Sequence, residues 1–349
     1  MKALRLTEWK HEAEFVDVPE PDPGPGEVVV RIGGAGACHS DLHLMYDFEA
    51  GALPWGPPFT LGHENAGWVH ALGAGVRGVE VGEPVAVYGP WGCGRCRRCL
   101  LGMENYCERS AELAGAGGGL GFDGGMAPFM VVPNARWLVR LDDLSPAQAA
   151  PLTDAGLTPY HAVKRSLPLL VPGSTAVVIG AGGLGHMAVQ ILEHLTPARV
   201  IVVDQRDEAL RLAGELGAEH CVKAGADAAA EIRDLTEGKG VDAVFDIVGA
   251  DATLALGAAV ARPMGHLTIV GIAGGSLPVS FFGIAYEVSV ATTYWGTLPE
   301  LVEVIDLANA GHLTAHVRTY SLDDATNAYA AMRAGQLEGR AVIVPGGAA

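Results

Sequence analysis

A glycine-rich turn between an apolar strand and an apolar helix constrains the fold of this chain more than any other feature. Gly180, Gly182 and Gly185 form the pattern G-x-G-x-x-G directly after the apolar run Thr175–Ile179. Residues 184–195 follow with apolar side chains at helical spacing. Strand-like and helix-like segments continue to alternate through the middle of the chain. This alternation predicts an α/β domain with a parallel sheet and right-handed crossovers.

The same turn predicts a dinucleotide site, because Gly180 permits the turn, Gly182 lets the backbone approach a pyrophosphate, and Gly185 lets helix and strand pack closely. The helix N-terminus offers free N–H groups to the phosphates. Asp204 ends the next strand, nineteen residues after Gly185, and would bind a ribose hydroxyl. Its carboxylate repels a 2′-phosphate, which favours NAD over NADP, and nearby Arg206 softens that preference. The predicted cofactor residues of this region are Gly180, Gly182, Gly183, Leu184, Gly185, Asp204 and Arg206.

A cluster of cysteines predicts a metal site. Cys93, Cys96, Cys99 and Cys107 follow the spacing C-x2-C-x2-C-x7-C and lie within fifteen residues. Such clustering in an intracellular chain of this size favours a metal over disulfides. Four thiolates suit a closed tetrahedral zinc site, which has no position left for a substrate and is therefore structural. An iron–sulfur cluster is the rival, but the nearby sequence lacks the C-x2-C-x2-C-x3-C-P run of ferredoxins.

Composition and charge narrow the possible partners. The chain has 349 residues, of which 49 % are apolar, and its 23 Lys and Arg against 40 Asp and Glu give a net charge of −17. No basic stripe exists beyond residues 95–98, so we expect neither a nucleic-acid nor a membrane partner. There is no secretory signal at residues 1–14 and no apolar run of membrane-spanning length, which predicts a cytoplasmic protein.

The chain divides by pattern into two domains. The first ~150 residues are rich in Gly and Pro and carry short strand-like runs such as 27–32 and 84–88, which predicts a barrel-like all-β domain. The pattern changes near residues 155–175, where the alternating α/β segments begin. Helical patterns at 300–310 and 323–334 precede a last strand at 341–344.

Two residues ahead of the dinucleotide fold predict a second, catalytic metal site. They are Cys38 and His63, and neither would identify such a site alone. Together with the segment Gly62-His63-Glu64-x2-Gly67-x5-Gly73-x2-Val76, they make the chain resemble the zinc-dependent alcohol dehydrogenases of the medium-chain dehydrogenase/reductase family. The resemblance covers essentially the whole chain and is strongest to bacterial NAD-dependent secondary alcohol dehydrogenases.

The resemblance implies an α/β fold with a GroES-like β-barrel catalytic domain and a Rossmann domain with a doubly wound parallel sheet. The catalytic domain would comprise residues 1–155 and 296–349, with a structural zinc lobe at about 91–109, and the NAD-binding Rossmann domain would comprise 156–295. It also implies a third catalytic zinc ligand, often Cys, at the position of Asp154. One thiolate, one carboxylate and one neutral imidazole would cancel the charge of Zn²⁺.

The family implies further roles at matching positions. Glu64 is a possible alternate zinc ligand, and Asp41 is the partner that fixes the tautomer of His63. Ser40 is the hydroxyl that carries the substrate proton, and His43 ends that relay at solvent. The other predicted cofactor contacts are His39 and Arg340 at the pyrophosphate, and Thr158, Val270 and Ile272 at the nicotinamide. The predicted substrate pocket is lined by Trp55, Leu120, Tyr294 and Trp295.

These features predict an NAD-dependent enzyme with two zinc ions that oxidises secondary alcohols, with primary alcohols as a second class, and reduces the matching ketones and aldehydes. The alternatives are a polyol or other dehydrogenase of the same family, a zinc-free quinone reductase, and a non-catalytic zinc- and nucleotide-binding protein. A homodimer or homotetramer is implied by the family, with the apolar segment 287–294 as a candidate pairing edge. The run 115–125, with seven glycines, has no role assigned by the sequence.

Overall fold

The computed structural model describes residues 1–346 of the chain. Its strands are β1 (Lys2–Leu6), β2 (Glu14–Asp17), β3 (Val28–Ala37), β4 (Phe59–Thr60), β5 (Glu64–Leu72), β6 (Pro84–Val87), β7 (Gly117–Gly118), β8 (Gly121–Phe122), β9 (Phe129–Val132), β10 (Leu138–Arg140), β11 (Thr175–Ile179), β12 (Arg199–Asp204), β13 (His220–Lys223), β14 (Val241–Asp246), β15 (Ala261–Ile269), β16 (Ser289–Thr292), β17 (Val317–Ser321) and β18 (Arg340–Val344). Its α-helices are α1 (His39–Tyr46), α2 (Arg97–Leu100), α3 (Pro146–Ala149), α4 (Leu157–Ser166), α5 (Gly185–Leu195), α6 (Asp207–Glu215), α7 (Ala228–Leu235), α8 (Asp251–Val260), α9 (Leu298–Asn309) and α10 (Ala325–Arg333).

The described residues form two compact units. Unit 1 comprises Met1–Leu157 and the chain from Gly296 onward, and unit 2 comprises Thr158–Trp295. The sequence-based boundaries at 155/156 and 295/296 lie at or within two residues of these positions.

Unit 1 is built around a seven-stranded sheet. Its strand order is β10-β6-β5-β3-β18-β17, and β9 pairs with β3 as well. The long strand β3 is buried along its whole length except at Arg31, and α3 and the 3₁₀ helix Ala150–Thr153 pack against it. In this sheet Gly36 pairs with Glu64, and Ala37 pairs with Ala341. The register therefore brings the end of β3 and the starts of β5 and β18 to one place, which becomes the site described below.

Unit 2 contains a six-stranded parallel sheet. Its order is β13-β12-β11-β14-β15-β16, so the order reverses between β11 and β14, as in dinucleotide-binding folds. Val177, Ile201, Val244 and Leu267 are fully buried between the sheet and its helices. Parallel strands covered on both faces need such continuous apolar runs, and the predicted parallel sheet is confirmed.

The helices of residues 1–346 are short. The longest α-helix, α9, has twelve residues, and it begins at a capping box in which Thr297 and Glu300 bond to each other's backbone N–H. No helix in this part of the chain has the length and apolar character needed to cross a membrane.

Candidate metal and cofactor sites

Four donor side chains of unit 1 meet in one place. The donor atoms of Cys38, His63, Glu64 and Asp154 all lie within 4.8 Å of one another. Asp154 Oδ2 is 3.9 Å from Cys38 Sγ and 3.6 Å from His63 Nε2. Tetrahedral zinc with ordinary bond lengths separates its ligand atoms by about 3.3–3.8 Å. The donor set and its spacing therefore fit a zinc ion, and we call these four residues the central site.

The central site is assembled by strand ends and turns far apart in sequence. Cys38 follows β3 directly and precedes the first turn of α1. His63 precedes β5, in which Glu64 is the first residue. Asp154 follows the 3₁₀ helix Ala150–Thr153. Only glycine fits at position 36, because a Cβ there would lie 1.9 Å from a Glu64 carboxylate oxygen.

Asp41 joins two of the predicted zinc ligands. Its Oδ2 accepts the backbone N–H of Cys38 at 3.0 Å, and its Oδ1 lies 3.0 Å from His63 Nδ1. With Nδ1 facing a carboxylate, His63 presents Nε2 to the other donors. This is the tautomer that a metal-ligating imidazole needs.

The central site is strongly anionic. Burial alone would lower the pKa of His63, but the nearby carboxylates of Asp41 and Asp154 raise it well above its usual value. Burial raises the pKa of Glu64 to about 7, against the opposing effect of Arg340. Arg340 bonds to both Glu64 oxygens, through Nε at 2.9 Å and through Nη2. The same negative field that attracts a proton to His63 attracts a divalent cation.

The predicted relay residues lie on α1, next to the central site. Ser40 Oγ is 3.2 Å from His63 Nε2, so its hydroxyl reaches the donor cluster. His43, one helical turn later, has a side chain that is 26 % exposed and pairs through Nδ1 with Asp47. His39 opens the helix and is exposed. The structure thus places Ser40 inside the site and His43 toward water.

The four cysteines form a second donor cluster, the cysteine lobe. The Sγ atoms of Cys93, Cys96, Cys99 and Cys107 lie within 4.8 Å of one another, and those of Cys96 and Cys99 are 3.4 Å apart. Sulfur ligands of a tetrahedral zinc are about 3.8 Å apart, so this cluster also fits the metal. The protein supplies all four donors, which leaves no open position.

Backbone amides of the cysteine lobe stabilise its thiolates. The N–H groups of Cys93 and Arg109 donate to Cys107 Sγ, and that of Cys96 donates to Cys93 Sγ, each at 3.4 Å. The N–H of Cys99 lowers the pKa of Cys96 to about 6, whereas burial raises the pKa of Cys99. A short segment with local N–H···S bonds therefore prepares its own metal ligands.

The glycine turn of unit 2 has the geometry of a phosphate-binding loop. Gly180 has a φ of +92°, which favours glycine, and a Cβ on Gly185 would lie 1.9 Å from the Gly180 carbonyl oxygen. Asp204 Oδ2 accepts the N–H of Ala181 at 2.7 Å, and its Oδ1 accepts the N–H of Arg206 at 2.8 Å. Asp204 therefore fixes the loop from the end of β12. Gly182 leaves the surface of the loop open, since the nearest atom to a Cβ there would be Arg206 Nη2, at 3.9 Å.

The other predicted cofactor residues have varied environments. Thr158 and Val270 are buried in unit 2, and Ile272 is 57 % exposed. Val270 N–H donates to the Asp246 carbonyl at 2.8 Å, so its position follows from the end of β14. Arg340 belongs to unit 1, where it pairs with Glu64. Its predicted role at the pyrophosphate, like the contacts of His39, stays a prediction.

The predicted pocket residues fall in both units. In unit 1, the rings of Trp55 and Phe59 pack together with centroids 5.8 Å apart. Leu120 is buried, and its neighbour Gly121 lies against Trp55, because a Cβ on Gly121 would be 3.1 Å from the Trp55 ring. In unit 2, Tyr294 is 45 % exposed and Trp295 is 7 % exposed with a φ of +55°. Such a φ is uncommon for a bulky residue and concentrates at functional positions. Their roles in substrate binding stay predictions.

The unassigned glycine run 115–125 packs against the segment that carries His63. A Cβ on Gly119 would lie 2.5 Å from the carbonyl oxygen of Gly62, and one on Gly124 would lie 2.2 Å from the same oxygen. Gly125 N–H donates to that oxygen at 3.0 Å. Most residues of the run are buried, and the run bonds to neighbouring backbone. The glycines let two backbone segments touch, and so support the central site.

The comparisons with known proteins agree with this geometry. The profile of the alcohol dehydrogenase GroES-like domain matches residues 24–143, and that of the zinc-binding dehydrogenases matches residues 183–310. An NAD-dependent alcohol dehydrogenase of Sulfurisphaera tokodaii is 37 % identical, across 99 % of this chain and 100 % of the relative. The chain therefore belongs to the zinc-binding alcohol dehydrogenase family, as its sequence predicted.

Solved structures match over the whole fold. The alcohol dehydrogenase of Aeropyrum pernix superposes with a TM-score of 0.91 at 38 % identity, covering 99 % of this chain and all of that one. Acetophenone reductase from Geotrichum candidum, solved with NAD, gives a TM-score of 0.87 at 31 % identity and covers 98 % of this chain and 96 % of its own. The GroES-like and Rossmann architecture is confirmed. The predicted likeness to bacterial secondary alcohol dehydrogenases in particular stays a prediction.

Proposed function

We propose that this chain oxidises secondary alcohols to ketones with NAD and zinc, takes primary alcohols as a second class, and catalyses the reverse reduction. The central site carries the proposal. Glu64 is held by Arg340, so Cys38, His63 and Asp154 are left as three ligands, and three protein ligands keep a fourth position open for a substrate oxygen. The cysteine lobe, with four protein ligands, has no such position.

The residues around the central site handle the proton that the alcohol loses. Zinc, when bound, acts as a Lewis acid that polarises the substrate oxygen and favours loss of its proton. Asp41 keeps the proton of His63 on Nδ1, so that Nε2 stays a ligand. Ser40 Oγ lies at the donor cluster and relays the substrate proton by accepting it while giving up its own hydroxyl proton. His43, beside Asp47, is the group that delivers a proton to water at the end of the relay.

Bound NAD⁺ would supply the two-electron acceptor for the hydride of the alcohol carbon, with one proton left for the residues of the central site to remove. Unit 2 binds the cofactor through the turn at Gly180–Gly185 and the N-terminus of α5. The buried carboxylate of Asp204 disfavours a 2′-phosphate, which supports NAD as the cofactor. Arg206 Nε lies 3.7 Å from Asp204 Oδ1 and partly offsets that charge.

The function is tested by zinc content and turnover measured on one preparation. Zinc per chain is determined by elemental analysis, and NADH absorbance is followed with 2-butanol, 1-phenylethanol, ethanol and sorbitol. We expect two zinc ions per chain and the highest kcat/KM with the secondary alcohols. Fastest turnover with sorbitol would replace the proposal with polyol oxidation. One tightly bound zinc ion without any NAD reduction would contradict an enzymatic function.

We also propose that copies of the chain pair through β16, as a homodimer or within a homotetramer. This strand is the edge of the unit 2 sheet, and an uncovered edge offers unpaired N–H and C=O groups. Val290 in the strand is 37 % exposed, and nearby Phe281 and Phe282 are 73 % and 88 % exposed. We expect V290K to shift the molar mass measured by light scattering toward the monomer. An unchanged mass would exclude this edge as the interface.

A cytoplasmic location is part of the proposal. The six cysteines of the chain form no disulfide, and the cysteine lobe needs reduced thiols to hold a metal. Fractionation of cells that produce the chain checks this, with recovery in the cytosolic fraction expected.

A further inference from the structure

Tyr329 is a polar residue on the buried face of α10. The buried positions of that helix are Ala325, Ala328, Tyr329 and Met332, spaced as one helical face, and α10 packs on α1. Tyr329 is only 6 % exposed. A buried phenol needs a partner for its O–H, because an unpaired hydroxyl in the interior is costly.

The partner of Tyr329 is the carboxylate that joins the zinc ligands. Its O–H donates to Asp41 Oδ2 at 2.8 Å, across 288 residues of sequence. The same oxygen accepts the Cys38 N–H, while Oδ1 faces His63 Nδ1. Asp41 is fully buried. Tyr329 and the Cys38 amide thus bind one oxygen of a buried carboxylate and leave the other for the imidazole.

We propose that Tyr329 is a positioning residue of the central site: its O–H fixes the Asp41 carboxylate, and through it the ring of His63 and the first turn after Cys38. A buried carboxylate with one donor fewer turns more freely and holds its charge less well. His63 Nε2 then points less consistently at the other donors, which weakens metal retention. This inference rests on the proposed zinc chemistry of the same site.

The second neighbour of the Tyr329 O–H does not compete with this role. Met126 Sδ lies 3.2 Å from the phenol oxygen, but a thioether is a weak acceptor. Burial and the nearby Asp41 charge raise the pKa of Tyr329 well above its usual value, so the phenol keeps the proton that it donates.

The test measures zinc retention in Y329F, which keeps the ring and removes only the O–H. Zinc-loaded protein is mixed with an excess of a colorimetric chelator, and the release phase that disappears in D154A is assigned to the central site. We expect Y329F to speed that phase about three- to tenfold, since outer contacts of metal ligands change affinity by about 10–100-fold and Tyr329 lies one contact further out. The release phase of the cysteine lobe should not change. Cobalt-substituted Y329F should also show a shifted visible spectrum.

The matched control is Y88F. Tyr88 is fully buried and its O–H donates to the Gly296 carbonyl at 2.7 Å, so this variant loses a comparable hydrogen bond away from Asp41. We expect wild-type zinc release from Y88F, and no added effect of Y329F in a D41N background. Wild-type release from Y329F, or equal acceleration in Y88F, would overturn the proposal. If the wild type shows no phase that D154A removes, the zinc site itself fails, which is a separate outcome.

Discussion

The cysteine lobe and the central site are both metal-donor clusters of unit 1, but they are built in opposite ways. The lobe takes its four donors from one short segment, and neighbouring backbone amides stabilise them. The central site takes donors from residues 38, 63 and 154, which strand register brings together. Its charges are held by buried side chains from the far end of the chain, Arg340 and Tyr329.

This difference separates what each cluster is able to do. A local loop folds around a metal and fills every coordination position, which suits a structural role. A site assembled from distant elements keeps one position open, because the rigid sheet holds the donors instead of the metal alone. It follows that damage to the lobe should affect stability first, whereas damage to the central site should affect catalysis first.

The largest expected effect comes from removing one donor of the central site. D154A leaves two ligands, so we expect loss of one zinc ion and a fall in kcat of about 10³-fold or more, since the Lewis-acid contribution is worth several kcal/mol. NADH binding, measured by fluorescence, should stay close to wild type, because the nucleotide loop lies in unit 2. D154C supplies a thiolate of equal charge and should recover zinc and part of the activity.

The matching variant in the lobe is C107S. It should lose the other zinc ion and lower the melting temperature while keeping the central zinc and much of the turnover. The division into a structural lobe and a catalytic central site would be contradicted if C107S abolished turnover at a temperature where the protein is folded, or if D154A retained both zinc ions.

The second expected effect concerns the buried ion pair behind the central site. E64Q leaves the guanidinium of Arg340, which is 4 % exposed, without its carboxylate. Breaking a fully charged buried pair at one partner costs about 3–5 kcal/mol, but burial raises the pKa of Glu64 to about 7, so we expect the free energy of unfolding at pH 7 to fall by less than that amount. The double variant E64Q/R340M removes both charges and should recover most of the loss.

The control is the ion pair between Arg136 and Glu104, in which Arg136 also donates to the Cys99 carbonyl of the cysteine lobe. Arg136 is 2.6 Å from Glu104, but its side chain is 34 % exposed. E104Q should therefore cost less than E64Q, because water partly replaces the lost partner of Arg136. An equal or larger loss in E104Q would contradict the contrast between the two regions.

The same contrast explains which residues of the two metal sites could be predicted from the sequence. Regular spacing marks the four lobe cysteines and the glycine turn of unit 2, and both are local patterns. The family resemblance supplied Asp154 and Asp41, which no local pattern marks. Neither route found Tyr329, because its contact with Asp41 depends on how α10 packs on α1. A polar residue on an otherwise apolar helix face was the available signal.

Strand predictions show the same limit. The runs that became β3, β6 and β11 were predicted from continuous apolar residues. The register that sets Gly36 opposite Glu64 was not, since many pairings fit the same apolar runs. The close approach of the glycine run 115–125 to Gly62 is likewise a contact between segments distant in sequence, so composition alone gave the run no role.

The third expected effect tests the glycine run as a support of the central site. G119A places a Cβ at a φ of +80° and 2.5 Å from the Gly62 carbonyl oxygen. The backbone conformation alone costs about 1–3 kcal/mol, and the contact pushes on the segment that carries His63. We expect lower stability together with faster zinc release from the central site, measured by denaturant unfolding and by chelation.

G75A is the matched control for the contact. Gly75 has a φ of +85°, but a Cβ there meets nothing within 4 Å. This variant should lose a similar conformational energy and keep wild-type zinc release. Equal zinc release in G119A and G75A would show that the run does not support His63.

The smallest expected effect is the pH dependence of the lobe thiols. The Cys99 amide lowers the pKa of Cys96 to about 6, so in chelator-treated protein this thiol is mostly thiolate at pH 7. Lowering the pH from 7 to 5 crosses that pKa and should slow its alkylation by iodoacetamide about tenfold. The control is Cys221, an exposed residue outside the lobe. The protein partly shields its thiol from water and so raises its pKa, and its rate should fall about a hundredfold over the same interval. Peptide mass spectrometry measures both rates, and a hundredfold fall at Cys96 would mean that local amides do not prepare the lobe for its metal.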